Sequence, residues 1–132
     1  MKMKAVVIDD NANNLMLEKD LLEAAGFQVF EAENAANGIA LSRIEKPDVI
    51  IMDVRLPDMR GTMAAKILRR EIETKDIAIV FVTASVVEGL DEAKSITNSG
   101  FIGKPINTRT FARDVKQFIK SPESVVNQEG KR

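Results

Sequence analysis

Pro47-Asp48-Val49-Ile50-Ile51-Met52-Asp53 is the stretch that decides how the rest of the chain is read. Asp48–Met52 (DVIIM) is a short, β-branched apolar run and the strongest strand signal in the sequence. Its hydrophobicity is continuous rather than alternating, which belongs to a strand buried on both faces, as in a parallel sheet. Asp53 follows at once, so a carboxylate stands at the strand's carboxyl end.

Working outward toward the amino terminus, Asn34–Glu45 predicts a helix with Ile39, Leu41 and Ile44 on its apolar side and Pro47 beyond its end. Phe27–Phe30 (FQVF) alternates like a less buried strand. Leu15–Ala25 carries a helical stripe of Leu15, Leu17, Leu21 and Leu22, then Ala24 and Ala25. Cap-type residues Asn11–Asn14 precede it and Gly26 stops it. Lys4–Ile8 (KAVVI) is a second strand of the buried kind. Toward the carboxyl terminus, Leu56-Pro57-Asp58 opens a loop, and Gly61 precedes a helix over Thr62–Glu73. Ile77–Val82 predicts a strand, Val87–Thr97 a helix and Phe101-Ile102 a last short strand. Thr108–Ile119 predicts an amphipathic helix with Phe111, Val115, Phe118 and Ile119 inward. Strand and helix thus alternate five times along the chain. Such alternation implies an α/β domain, a doubly wound parallel sheet with helices on both faces. Residues 1–120 form that domain, and 121–132 read as a polar tail or linker stub.

Composition narrows the chemistry. A formal net charge of −1 gives no bulk attraction to nucleic acid or to an anionic membrane. No stretch approaches the roughly 20 apolar residues of a membrane span, and Met1–Lys4 runs straight into a strand, so the expected location is cytoplasmic. The chain has no cysteine and no histidine. Thiolate zinc sites, cysteine nucleophiles, imidazole triads and any phosphohistidine carried by this chain are thereby excluded.

In an open α/β sheet, ligands sit beyond the carboxyl ends of the strands. The residues there are Asp9-Asp10 after the first strand, Asp53 after the third, Thr83 after the fourth and Lys104-Pro105 after the fifth. Three converging carboxylates repel one another unless a cation relieves them, and clustered carboxylate oxygens suit a hard ion such as Mg²⁺. A lysine ammonium and a threonine hydroxyl on the same edge could bind phosphoryl oxygens. Acids, metal, lysine and hydroxyl together suit phosphoryl transfer, with an aspartate as nucleophile.

At these residues the chain resembles the CheY-like receiver domains of two-component response regulators. The matching motifs are VVIDDN, PDVIIMDVRLPDMRG, the VTAS after the fourth strand, and FIGKPI, and in look they are closest to single-domain receivers of the CheY and DivK type. The resemblance covers about Met3 to Lys120. It implies a flavodoxin-like (βα)5 sandwich whose five-stranded parallel sheet runs in the order 2-1-3-4-5. It further implies that Asp53 is phosphorylated and that Asp9, Asp10, Asp53 and the main-chain carbonyl of Arg55 serve Mg²⁺, Asp10 more directly than Asp9. Thr83 would contact the phosphoryl group and Lys104 would pair with it, with a cis bond to Pro105. Thr83 and Phe101 would form a switch that remodels the face made by the fourth helix, fifth strand and fifth helix. The implied partners are a sensor histidine kinase or histidine phosphotransfer protein and a downstream target or effector domain, with a possible homodimer through that face. No direct contact with nucleic acid or membrane is implied. Receivers catalyse only their own phosphorylation and dephosphorylation, so the chain is not expected to be an enzyme with a separate substrate.

The sequence departs from the family in three places. Phe101 stands where tyrosine is commoner, the interval from Thr83 to Lys104 is about one residue short, and Thr97–Gly100 lacks the usual glycine-alanine pair. Other functions fit less well. A phosphatase with an aspartyl nucleophile needs a second acid two residues on, where Arg55 and Asn11 stand instead. A flavodoxin-like cofactor binder needs a phosphate loop that Asp9–Asn14 would repel. A docking module that is never phosphorylated typically loses an acid or the lysine, and this chain keeps them all. Met52, Met59 and Met63 are read as packing, and Lys66, Arg69 and Arg70 as a solvated helix face. Ala84 and Ser85 are either simple packing or room for an approaching phosphodonor or water.

Overall fold

The structure is a computed structural model and describes residues 2–120, the side chains of 88 and 89 excepted; the expected tail, 121–132, lies outside the described residues. Strands and helices alternate: β1 (Lys4–Ile8), α1 (Ala12–Ala24), β2 (Gln28–Ala32), α2 (Ala35–Glu45), β3 (Val49–Met52), α3 (Gly61–Arg69), β4 (Ala78–Thr83), α4 (Val86–Glu92), β5 (Ser99–Gly103) and α5 (Phe111–Lys120). All neighbouring strands pair in parallel, in the order β2-β1-β3-β4-β5, the flavodoxin-like arrangement expected.

The strands read as continuous apolar runs because both faces are covered. Period-2 alternation sends Val6, Ile8, Ile50, Met52, Ile79 and Phe81 to one side, where α2 and α3 cover them through Ile39, Ala64, Ala65 and Leu68. Ala5, Val7, Val49, Ile51, Val80 and Val82 face the other side, under Leu15 and Leu22 of α1 and Phe111, Val115 and Phe118 of α5. Burying each such aliphatic or aromatic side chain stabilises the fold by roughly 1.5–3 kcal/mol before the entropy of ordering is counted.

Several element limits differ from the sequence reading. α1 starts at Ala12 rather than Leu15, because Asn11 caps it and accepts the Asn14 N–H at 3.0 Å. Its buried face is Leu15, Glu18 and Leu22, and Leu17 is 40% exposed. Gly26, at φ +100°, ends the helix as expected. In α2, Ile39 is buried but Ile44, five residues on and so about 140° round the helix, is 74% exposed. α3 stops at Arg69 rather than Glu73, where Thr74 Oγ1 donates to the Leu68 carbonyl at 2.6 Å and turns the chain. α4 runs Val86–Glu92 rather than Val87–Thr97; the chain then turns through Asn98, whose φ of 52° is left-handed. α5 begins at Phe111 rather than Thr108, with Ile119 half-buried. Arg69 is not part of a solvated face: its guanidinium donates to the carbonyls of Thr97 (2.8 and 2.9 Å) and Asn98 (3.0 Å) and ties α3 to the segment before β5.

Candidate functional site

Strand register brings the predicted residues to one edge. Ile8 pairs with Met52, so the residues that follow them, Asp9 and Asp53, emerge side by side. Backbone bonds fix this: the Asp53 N–H donates to the Ile8 carbonyl at 3.1 Å, and the Asp9 N–H to the Ala32 carbonyl at 3.1 Å. Carboxylate oxygens of Asp9, Asp10 and Asp53 lie within 4.8 Å of one another, a set that could hold one metal ion. The cluster grades from buried Asp9, 2% exposed, through half-buried Asp53 to exposed Asp10. Asp9 Oδ1 accepts the Asn11 N–H at 2.9 Å, and Asp53 Oδ1 accepts the Arg55 N–H at 3.2 Å. Arg55 is thus in the Asp53 loop.

Lys104 closes the cluster from β5. Its ammonium donates to Asp53 Oδ2 at 2.9 Å and to Asp9 Oδ2 at 3.2 Å. Burial works against the charged lysine, but the hydrogen bond and charge of Asp53, with the charge of Asp9, outweigh it and hold the Lys104 pKa above the ordinary lysine value. The bond from Lys104 to Pro105 is cis, as expected. Thr83 ends β4, buried beside β5; its carbonyl accepts the Lys104 N–H at 2.9 Å and its Oγ1 accepts the Ser85 N–H at 3.2 Å. Phe101 is turned into the core, stacked on Phe81 with centroids 5.1 Å apart.

The loop carrying Asp53 is clamped by α3. A Cβ on Gly61 would stand 2.2 Å from the Asp53 carbonyl oxygen, so this close approach needs glycine. The Gly61 N–H donates to the Val54 carbonyl at 2.7 Å. Sequence reasoning missed three features around the loop. Asp58 reaches back to α2, accepting the Ala35 and Ala36 N–H groups at 2.9 Å; those bonds hold its carboxyl below the usual range. Glu92 of α4 accepts from Arg60 and from Thr62 Oγ1 at 2.8 Å, and the hydrogen bonds from Arg60 and Thr62 lower its pKa. Neither pairing leaves a mark in a single sequence.

The third is Glu18, 3% exposed on α1. Burial first, then the charges of Asp9 and Asp53, push its carboxyl up to about 8, against the opposing pull of Lys104. It lines a cavity of about 340 Å³ together with Asn14, Leu17, Ala84, Lys104, Pro105 and Ile106. The signal was present: Leu15, Glu18 and Leu22 are spaced three and four apart, so an acid sits on the buried stripe.

An acid cluster paired to a lysine at the switch point of a doubly wound sheet defines a class of signalling switch rather than a cofactor-binding flavodoxin. The chain belongs to the response regulator receiver domain family, whose sequence model matches residues 5–116. It is 31% identical to the polar-differentiation response regulator DivK of Brucella anthropi, over 90% of this chain and 98% of that protein. Among solved structures it is similar to the chemotaxis response regulator CheY4 of Vibrio cholerae, with TM-score 0.83 and 26% identity over 89% of this chain and 98% of that one. The receiver domain of the sensor histidine kinase PA1611 of Pseudomonas aeruginosa, solved with a magnesium ion coordinated in its active-site cleft, shares the fold. Its TM-score is 0.82 at 22% identity, over 92% of this chain and all of that one. The chain is therefore a CheY-like receiver of two-component signalling. No helix among the described residues is long and apolar enough to cross a membrane.

Proposed function

We propose that the chain is a phospho-accepting switch in which Asp53 takes a phosphoryl group from a histidine kinase or histidine phosphotransfer protein. One observation carries the reading: the Lys104 ammonium reaches Asp53 and Asp9 at once, at the mouth of a three-carboxylate cluster. An Asp53 carboxylate oxygen attacks phosphorus; the donor's phosphorus–nitrogen bond breaks, and its electron pair leaves with the imidazole of the partner. This chain, without histidine, cannot supply the donor itself. Lys104 and the Thr83 hydroxyl would take up the charge on the phosphoryl oxygens. Water attack on phosphorus later returns the Asp53 carboxylate and releases phosphate.

The donor set fits Mg²⁺, since it is all oxygen and carries more negative charge than Lys104 neutralises. Asp9, Asp10, Asp53 and the main-chain carbonyl of Arg55 would hold the ion. When bound, it neutralises carboxylate and phosphoryl oxygens so that transfer proceeds at a charged nucleophile. Magnesium in the PA1611 receiver supports this assignment. The chain turns over no separate substrate and acts in the cytoplasm through a protein partner. Thr83 and Phe101 would pass the change to the α4-β5-α5 face, which contacts the target or a second copy.

The test is intact mass after incubation with Mg²⁺ and acetyl phosphate. A gain of one phosphoryl group is expected, absent in Asp53→Asn and in metal-free protein. No gain there, and no response to beryllofluoride, would leave a docking module instead.

A further inference from the structure

Glu18 has no part in the phosphoryl chemistry proposed for Asp53, yet it lines the same cavity as Lys104 and feels its charge. It is 3% exposed, lines the cavity and makes no hydrogen bond or ion pair among the described residues, and such burial disfavours its charged form. It shares with Lys104 the wall of the 340 Å³ cavity, whose other lining is Asn14, Leu17, Ala84, Pro105 and Ile106. An ammonium has three donors. Asp53 and Asp9 take two of those of Lys104, and Glu18 is the remaining acidic side chain of the cavity.

We propose that Glu18 is a positioning residue of the phosphorylation site, a third acceptor that competes with Asp53 for the Lys104 ammonium from the α1 side. The inference rests on the receiver reading above. Protonated, Glu18 leaves Lys104 on the Asp53 side, where it meets the phosphoryl group. Ionised, it draws the ammonium toward the cavity and weakens that contact. The charged groups acting on Glu18 are Asp9 at the end of β1, Asp53 at the end of β3 and Lys104 after β5. From its own helix it is joined by Asn14 and Leu17. Its raised pKa agrees with a carboxyl that changes state near neutrality. No histidine, cysteine or tyrosine titrates in that window.

The experiment compares wild type with Glu18→Gln and Glu18→Leu in two measurements between pH 6 and 9. The first follows the Lys104 side-chain methylene resonance by NMR in ¹³C-lysine-labelled protein without metal or donor. It is expected to move with pH in wild type and to stay fixed in both variants. The second follows the rate of Asp53 phosphorylation by acetyl phosphate at saturating Mg²⁺. The wild-type rate, relative to that of Glu18→Gln, is expected to fall by about three- to tenfold toward pH 9, a shift of up to one decade in the Lys104 contact. Glu18→Leu, which fills the site with an apolar side chain, should follow Glu18→Gln and separates charge from any folding defect of the amide. A Lys104 resonance that behaves alike in wild type and both variants overturns the proposal, as do parallel rate profiles. If wild type gains no phosphoryl group and does not respond to beryllofluoride the phospho-accepting reading fails, while the resonance still decides whether Glu18 positions Lys104.

Discussion

Lys104 is the residue that holds the carboxylate cluster together. Its ammonium lies between Asp9, which is buried, and Asp53, so removing it takes away the charge that bridges the two carboxylates. Breaking a buried pair from one side costs more than the pair contributes, because the remaining charge stays desolvated. Lys104→Met is therefore expected to lose about 2–3 kcal/mol of stability in urea titration without divalent ions. Added Mg²⁺ should raise the stability of the variant by more than that of wild type, since the variant lacks the ammonium that bridges Asp9 and Asp53. At this scale the sequence was informative wherever strand ends decide the outcome. Asp9, Asp10, Asp53, Thr83 and Lys104 converge because a parallel sheet puts its carboxyl ends on one edge. Glu18 was harder to read, since an acid in a helix is ordinarily solvated, and only its spacing from Leu15 and Leu22 places it inside.

At the scale of elements, the strands were legible and the helix limits were not. Continuous apolar runs between two covered faces fix β1, β3 and β4 from composition alone. Helix ends depend instead on tertiary hydrogen bonds, such as those from Arg69 to the Thr97 and Asn98 carbonyls, which hold the chain in a turn where periodicity predicts more α4. Two predictions belong here. Gly61→Ala forces α3 away from the Asp53 carbonyl, and is expected to cost about 1–3 kcal/mol in thermal or urea denaturation and to slow phosphorylation of Asp53. Glu92 ties α4 to Arg60 just ahead of α3 and to Thr62 in its first turn, and those bonds hold its carboxyl below the usual range. A depressed carboxyl pKa gives stabilisation that is present above the ordinary glutamate value and is lost as pH falls through the folded value. The α4 amides are accordingly expected to exchange with solvent faster, relative to those of α5, at pH 4 than at pH 7. Glu92→Gln should show the faster exchange at both.

For the molecule as a whole, the distribution of burial sets where the fold opens first. β1, β3 and β4 lie at the centre of the sheet, and every residue of β3 and β4 is buried. Opening any of them exposes both apolar layers, which approaches global unfolding. α4 has seven residues, with Val87 and Leu90 exposed; among the described side chains Val86 packs against the core and Glu92 bonds to Arg60 and Thr62. A helix that short is marginal without tertiary support. The face proposed to carry the signal therefore includes the shortest helix of the described fold, next to β5 and the buried Phe101. Native-state hydrogen exchange under weakly denaturing conditions is expected to place the β3 and β4 amides at the global unfolding free energy. The Val86–Glu92 amides should lie several kcal/mol below it, exchanging by a local opening that is insensitive to denaturant. Protection of α4 equal to that of β4 would mean that α4 opens only with the whole sheet. The proposed Thr83–Phe101 switch would then have to act by shifting packed side chains rather than by loosening the helix.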